Sequence, residues 1–214
     1  MDITQLPVSD LAVSRPGATA VFRRFKIDYC GDGRQVLAEA ARTRGVDPRL
    51  VAEAILSLEP ETQAAPDDTP ALIDHLLERY HQTHRRQFAE AMRLARRVEA
   101  VHGDNPDRPI GLSQHLAFML DDLEIHQQKE ELMLFPMMRN RTGPSVGAPI
   151  ACMVAEHEDV VEQLNGLARL TRDFTPPARA CTTWRALYAL CAEIDADLRD
   201  HMHLENNVLF RRFG

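Results

Sequence analysis

Nowhere does the sequence stay apolar for the ~18 residues that a membrane-spanning helix needs, so no span of a bilayer is expected. It also lacks any block of Lys and Arg. The 25 basic residues face 32 acidic ones, and the formal net charge of −7 makes nucleic acid or an anionic membrane an unexpected partner. The opening MDITQLPVSDLAVSRPG has no basic start followed by an apolar run, so it does not read as a secretory signal, and a cytoplasmic location is expected. Cysteine is scarce. The four residues Cys30, Cys152, Cys181 and Cys191 form no CxxC pair and no zinc-finger spacing, which points to free thiols in a reducing compartment. Strand-like alternation bounded by turn residues is missing as well, which argues against β architecture. What is present, 44% hydrophobic and 27% charged residues over 214 positions, suffices for a buried core in a main domain with a small companion.

Residues 1–60 divide into short helical pieces. Ser14-Arg15-Pro16 opens ATAVFRRFKI, and Asp28-Tyr29-Cys30-Gly31-Asp32-Gly33 forms a turn. RQVLAEAARTRG ends on Gly45 as a C-cap, and Asp47-Pro48 caps PRLVAEAILSLE. Three such helices make a small domain. The Pro- and acid-rich EPETQAAPDDTP then reads as a linker, assigned to residues 61–70. Beyond it, residues 71–214 carry four long amphipathic segments: Pro70 to His102, Leu112 to about Asn140, Ala148 to about Thr171, and Cys181 to about Arg211. Leu72, Leu76, Tyr80, Phe88, Met92, Ala95 and Val98 give the first its apolar stripe. Pro136 is expected to kink the second or begin its unwinding. Short loops between long helices mean an all-α, antiparallel four-helix bundle.

Two segments of that bundle share a pattern, EIHQQKEELMLFP at 124–136 and DHMHLENNVLF at 200–210. Each holds a His and a Glu four residues apart, His126/Glu130 and His201/Glu205, which leave one helical face a turn apart. Depth along the bundle shows what they can meet, with the end carrying the first and third interhelical loops taken as the top. At ~1.5 Å per residue, His126 lies about 22 Å below Leu112 and Glu130 about 28 Å. His201 lies about 30 Å below Cys181, His157 about 22 Å below Thr171, and His81 about 31 Å below His102. His81, His126, Glu130, His157, His201 and Glu205 therefore form one layer, with every helix contributing. His81 is preferred to its competitor His84 because Tyr80-His81 continues the apolar stripe. His102 falls at the opposite end and is expected to cap its helix. His203, rotated about 200° from His201, is expected to face solvent. His115 has no partner, and His75 is structural.

Four imidazoles and two carboxylates are too many for one zinc and suit two adjacent metals, iron ahead of manganese. Glu130 and Glu205 can bridge them, with room for a water, hydroxide or oxo bridge. A metal-free bundle with solvated His/Glu pairs is disfavoured, because burying six polar groups in one layer is costly without a cation.

These residues resemble the haemerythrin-like di-iron proteins, and more narrowly the repair-of-iron-centres family. The resemblance rests on DYC at 28–30, RYHQTHR at 79–85, HQQKEELMLFPM at 126–137, EHE at 156–158, ACTTW at 180–184 and DHMHLENNVLF at 200–210. It implies a four-helix haemerythrin-like bundle preceded by a small helical domain, with two non-haem irons on the six residues above. It further implies repair of iron–sulfur clusters damaged by nitric oxide or oxidative stress, by iron donation or NO handling. Damaged iron–sulfur proteins would be the partners and NO or O2 the small ligands, and a homodimer is within what the N-terminal domain allows. The alternatives are a di-iron oxidoreductase acting on NO or peroxide, and a non-catalytic O2 or NO carrier. Cys30 is the candidate reactive thiol. The family turn usually carries two adjacent cysteines, whereas Gly31 follows Cys30 here, so a role for a vicinal thiol pair is not expected.

Overall fold

Asp68 opens the first long helix: its carboxylate accepts from Ala71 N at 3.1 Å and its carbonyl from Leu72 N at 2.9 Å, satisfying amides that a helix start leaves bare. The computed structural model describes residues 2–15, 17–30, 34–58, 66–140 and 146–213. Among these residues there is no strand. Four short helices come first: α1 (Val8–Ser14), α2 (Ala18–Arg24), α3 (Leu37–Thr43) and α4 (Pro48–Leu56). Four long ones follow: α5 (69–101), α6 (112–140), α7 (Gly147–Leu170) and α8 (182–209), the last continued by a 3-10 turn at Phe210–Arg212. Pro16, Gly31-Asp32-Gly33, residues 59–65, which include the first half of the expected 61–70 linker, and the Thr142-Gly143-Pro144 stop lie outside the described residues.

The chain packs as two compact units, Met1–Leu72 with Arg199–Gly214, and Ile73–Leu198. In the first, Leu11, Phe22, Tyr29, Leu37, Val51 and Ile55 form the core. Asp47 accepts from Arg49 N at 2.9 Å ahead of Pro48, and Gly45 closes α3 with a φ of 70°, as their sequence positions predict. The three expected helices become four. α1 is too short for a visible period, and it forms by burying Val8, Leu11 and Ala12.

In the second unit, side-chain pairs set helix direction. Ser113, at the start of α6, donates to Glu99 near the end of α5, while Arg85, midway along α5, donates to Glu131, farther along α6. His115 pairs with Gln163 across α6 and α7. Toward the other end of the same two helices, His126 pairs with His157. His102 at the end of α5 meets Cys181 just before α8, and Arg79 and Gln87 reach Asp197 far along it. Each neighbour therefore runs antiparallel, as expected of a four-helix bundle.

Pro136 does not unwind α6, which continues to Asn140. The reason lies one residue upstream. Glu130–Leu134 is a π turn in which Phe135 N–H bonds Glu130 O, five residues back, so the ordinary ladder is already out of step where the proline removes a donor.

Candidate metal centre

Three π turns interrupt the long helices: Leu76–His81, Glu130–Leu134 and Glu205–Leu209. The first ends on His81; the others begin on Glu130 and Glu205. A π turn inserts a residue into the helical repeat and swings the rest of the helix by about 100°, and such turns concentrate at functional sites. Period counting cannot see the last two, because each begins only at the Glu and leaves the His-to-Glu spacing ahead of it intact.

All six residues of the expected layer are buried: His81, His126, Glu130, His157, His201 and Glu205. Two groups of four offer atoms within 4.8 Å of one another: His81, Glu130, His201 and Glu205, and His126, Glu130, His157 and Glu205. Both carboxylates appear in both groups.

The imidazoles are aimed from behind. Nδ1 of His81 lies 2.8 Å from Glu131 Oε1, and Nδ1 of His126 lies 2.9 Å from Glu156 Oε2. An Nδ1–H donating to carboxylate makes Nε2 the acceptor nitrogen, the arrangement in which imidazole binds a metal. Nε2 of His81 stands 3.5 Å from Glu130 Oε2, and Nε2 of His126 stands 3.4 Å from Glu130 Oε1 and 3.1 Å from Nε2 of His157. Two metal–nitrogen bonds of ~2.1 Å at a right angle place their nitrogens about 3.0 Å apart, so the His126–His157 separation fits a shared cation. Nitrogen and carboxylate oxygen together suit iron, manganese or zinc.

The bracing carboxylates are themselves held. Burial raises the pKa of Glu131, but hydrogen bonds from His81 and Arg85 outweigh it and hold the carboxyl below its usual range. Glu156 shows the same balance, with burial opposed by hydrogen bonds from Lys129 and His126. Glu131 and Glu156 are absent from the sequence expectations for this site. Their signal is adjacency: each lies beside a candidate ligand, Glu130 or His157, rotated about 100° toward the neighbouring helix.

The remaining histidines sort differently from expectation in two cases. His203 is 3% exposed rather than solvent-facing. Its Nδ1 lies 3.2 Å from Tyr29 O and its ring packs edge-on to Tyr29, because the N-terminal residues cover that face of α8. His115 has a partner, Gln163 O at 2.9 Å from Nε2. It packs so closely on α7 that a Cβ at Gly166 would fall 2.8 Å from its ring. His84 is buried against Tyr80 and belongs to neither group of four. His102 closes α5 and turns its ring to Trp184.

Cys30 is enclosed. Its thiol lies 3.0 Å from Asp28 Oδ1 and its carbonyl accepts from Asn206 Nδ2 at 2.8 Å, while Asn207 Nδ2 reaches Tyr29 O at 3.4 Å. The Tyr29 hydroxyl lies 2.8 Å from Asp200 Oδ1, which also accepts from Arg23. Burial, then the Asp28 charge, push the Cys30 thiol far above its ordinary pKa, so it is held protonated.

A fold of this class with buried His/Glu groups matches the haemerythrin HHE cation-binding domain over residues 72–213, and the chain belongs to that family. Residues 4–59 match a domain of unknown function, DUF542. The chain is 43% identical to the iron–sulfur cluster repair protein YtfE of Dickeya chrysanthemi (strain Ech1591), over 96% of this chain and 95% of the relative. It is 40% identical to the proteins of that name from Shigella boydii serotype 4 (strain Sb227) and Escherichia coli O139:H28 (strain E24377A / ETEC), with the same coverage. No described helix is long and apolar enough to cross a membrane.

Proposed function

We propose that the chain is a di-iron protein that repairs iron–sulfur clusters damaged by nitric oxide or oxidative stress. Residues 1–60 would form its N-terminal domain and residues 71–214 its metal-binding bundle. The observation that carries this reading is the convergence of buried imidazole Nε2 atoms on a carboxylate, Glu130, that belongs to both candidate groups. In the proposal His81 and His201 would hold one iron and His126 and His157 the other, with Glu130 and Glu205, members of both groups, available to either. Two carboxylates against two Fe(II) leave positive charge over, which favours an anionic oxo or hydroxo bridge. Such a pair supplies redox-active positions for NO or O2, with damaged iron–sulfur proteins as the partners. The residues of the chain orient and exclude: Glu131 and Glu156 fix the His81 and His126 rings, and Phe135, packed 5.8 Å from the His81 ring, keeps water from its face. Cys30 takes part only if the Asp28 turn opens. The proposed compartment is the cytoplasm.

Iron quantification with optical spectra of the oxidised, reduced and NO-treated protein tests the centre, with two irons per chain and an oxo-bridge band expected. Recovery of a damaged cluster enzyme then tests the task. Binding of NO or O2 without recovery would instead support a carrier, and turnover of NO or peroxide an oxidoreductase.

A further inference from the structure

At the far end of α5 from His81, the His102 imidazole Nε2 lies 3.2 Å from the Cys181 thiol sulfur. Cys181 is exposed and immediately precedes α8, and its carbonyl accepts the first helical amide bond, from Arg185 N at 3.0 Å. The thiol thus stands within hydrogen-bond reach of an imidazole nitrogen at a helix start. The His102 ring packs 4.9 Å from that of Trp184, which fixes the imidazole against the start of α8. The Arg185 guanidinium bonds two carbonyls, of Ala178 and Ala180, and no carboxylate among the described residues, so an unneutralised cation is held on the segment that leads directly into Cys181.

The other three thiols lack these features. Cys30 is buried against Asp28. Burial pushes the Cys191 thiol up to about 12. Cys152 is exposed, but its sulfur lies 3.4 Å from the Glu156 carboxylate, which holds the thiol protonated.

We propose that Cys181 and His102 form a reactive thiol pair, a site of reversible modification by an anionic low-molecular-weight disulfide. His102 Nε2 takes the Cys181 proton, and the thiolate attacks one sulfur of the disulfide. A new S–S bond joins Cys181 to that half as the old one breaks, and the departing thiolate takes the proton back from His102. Cys181 is oxidised to the disulfide level and half of the reagent is reduced to thiol, so no further oxidant is required.

The test exposes the full chain to glutathione disulfide at neutral pH, with adducts located by peptide mass spectrometry. The fluorescence of Trp184, the one tryptophan in the chain, is followed in parallel. Cys181 should acquire glutathione about tenfold faster than Cys152, with a matching fall in Trp184 emission. H102A should slow Cys181 by about tenfold and leave Cys152 unchanged. Buried Cys191 serves as a sentinel for unfolding. If it becomes labelled in H102A, H102N supplies the same comparison with a polar side chain retained. Labelling of Cys152 ahead of Cys181, or an unchanged Cys181 rate in a folded His102 variant, would overturn the proposal.

Discussion

At residues 126–135 and 201–210 the chain uses one device twice. A His is followed four residues on by a Glu, a π turn begins at that Glu, and a Leu-Phe pair closes it with both side chains buried. The two copies differ in what lies on the outer face. In the first, Leu132 is 75% exposed and Met133 63%, while His126 is braced from α7 by Glu156. In the second, the outer positions are occupied. His203, Asn206 and Asn207 grip the backbone of Tyr29 and Cys30, and Asp200 holds the Tyr29 hydroxyl and Arg23. The shared part is local and comes from residue order. The outer face is set by whatever chain packs there, which is why polar Asn206 and Asn207 stand where the first copy has Glu131 and Leu132.

Substitutions can separate what is shared from what is not. The largest effect is expected for Glu130→Leu and Glu205→Leu. Each should lose at least one of the proposed two irons, measured by metal analysis, and retention of both by either variant would sink the bridging role. Leu134→Ala and Leu209→Ala should each cost about 2–5 kcal/mol in denaturant unfolding, since both side chains are enclosed. Similar values would mark the closing pair as a shared local element. Next, Glu156→Ala should weaken metal affinity by about 10–100-fold, roughly 1.4–2.7 kcal/mol, through loss of the His126 brace. An unchanged dissociation constant in competition with a chelator would show that the brace does not matter. Tyr29→Phe should reach only the second copy, lowering stability by about 1–2 kcal/mol through the lost hydroxyl bond to Asp200. Smallest of all, Leu132→Gln in the first copy should stay within about 0.5 kcal/mol of the parent, because its side chain is already in water.

Much of this was legible in the residues themselves. The four long helices emerge from apolar period and punctuation, and the layer of His and Glu from rise per residue, which only requires that helices be straight and antiparallel. His203 was illegible because a single helix wheel assumes one buried face, and α8 at this end has two. His115 was missed for the opposite reason, since its partner is a backbone carbonyl on α7 that no side-chain pattern advertises. The π turns left no trace in the periodicity. Glu131 and Glu156 look like ordinary surface acids until the neighbouring helix brings its imidazoles alongside.

Pro136 gives the π turn at Glu130–Leu134 something that the one at Glu205–Leu209 lacks. Were 130–136 to relax into regular α-helix, the pyrrolidine ring would press on the Leu132 carbonyl, a conflict of about 3 kcal/mol or more. The proline therefore acts as a one-way latch on helix register, making the narrow alternative the uphill one whether or not a cation is bound. At the equivalent place after Phe210 stands Arg211, which imposes no such bias. The carboxylate of Glu130 is thus presented by a turn whose register is biased by its own covalent structure. That of Glu205 depends on the packing around it, so loosening of that packing would release the second copy first.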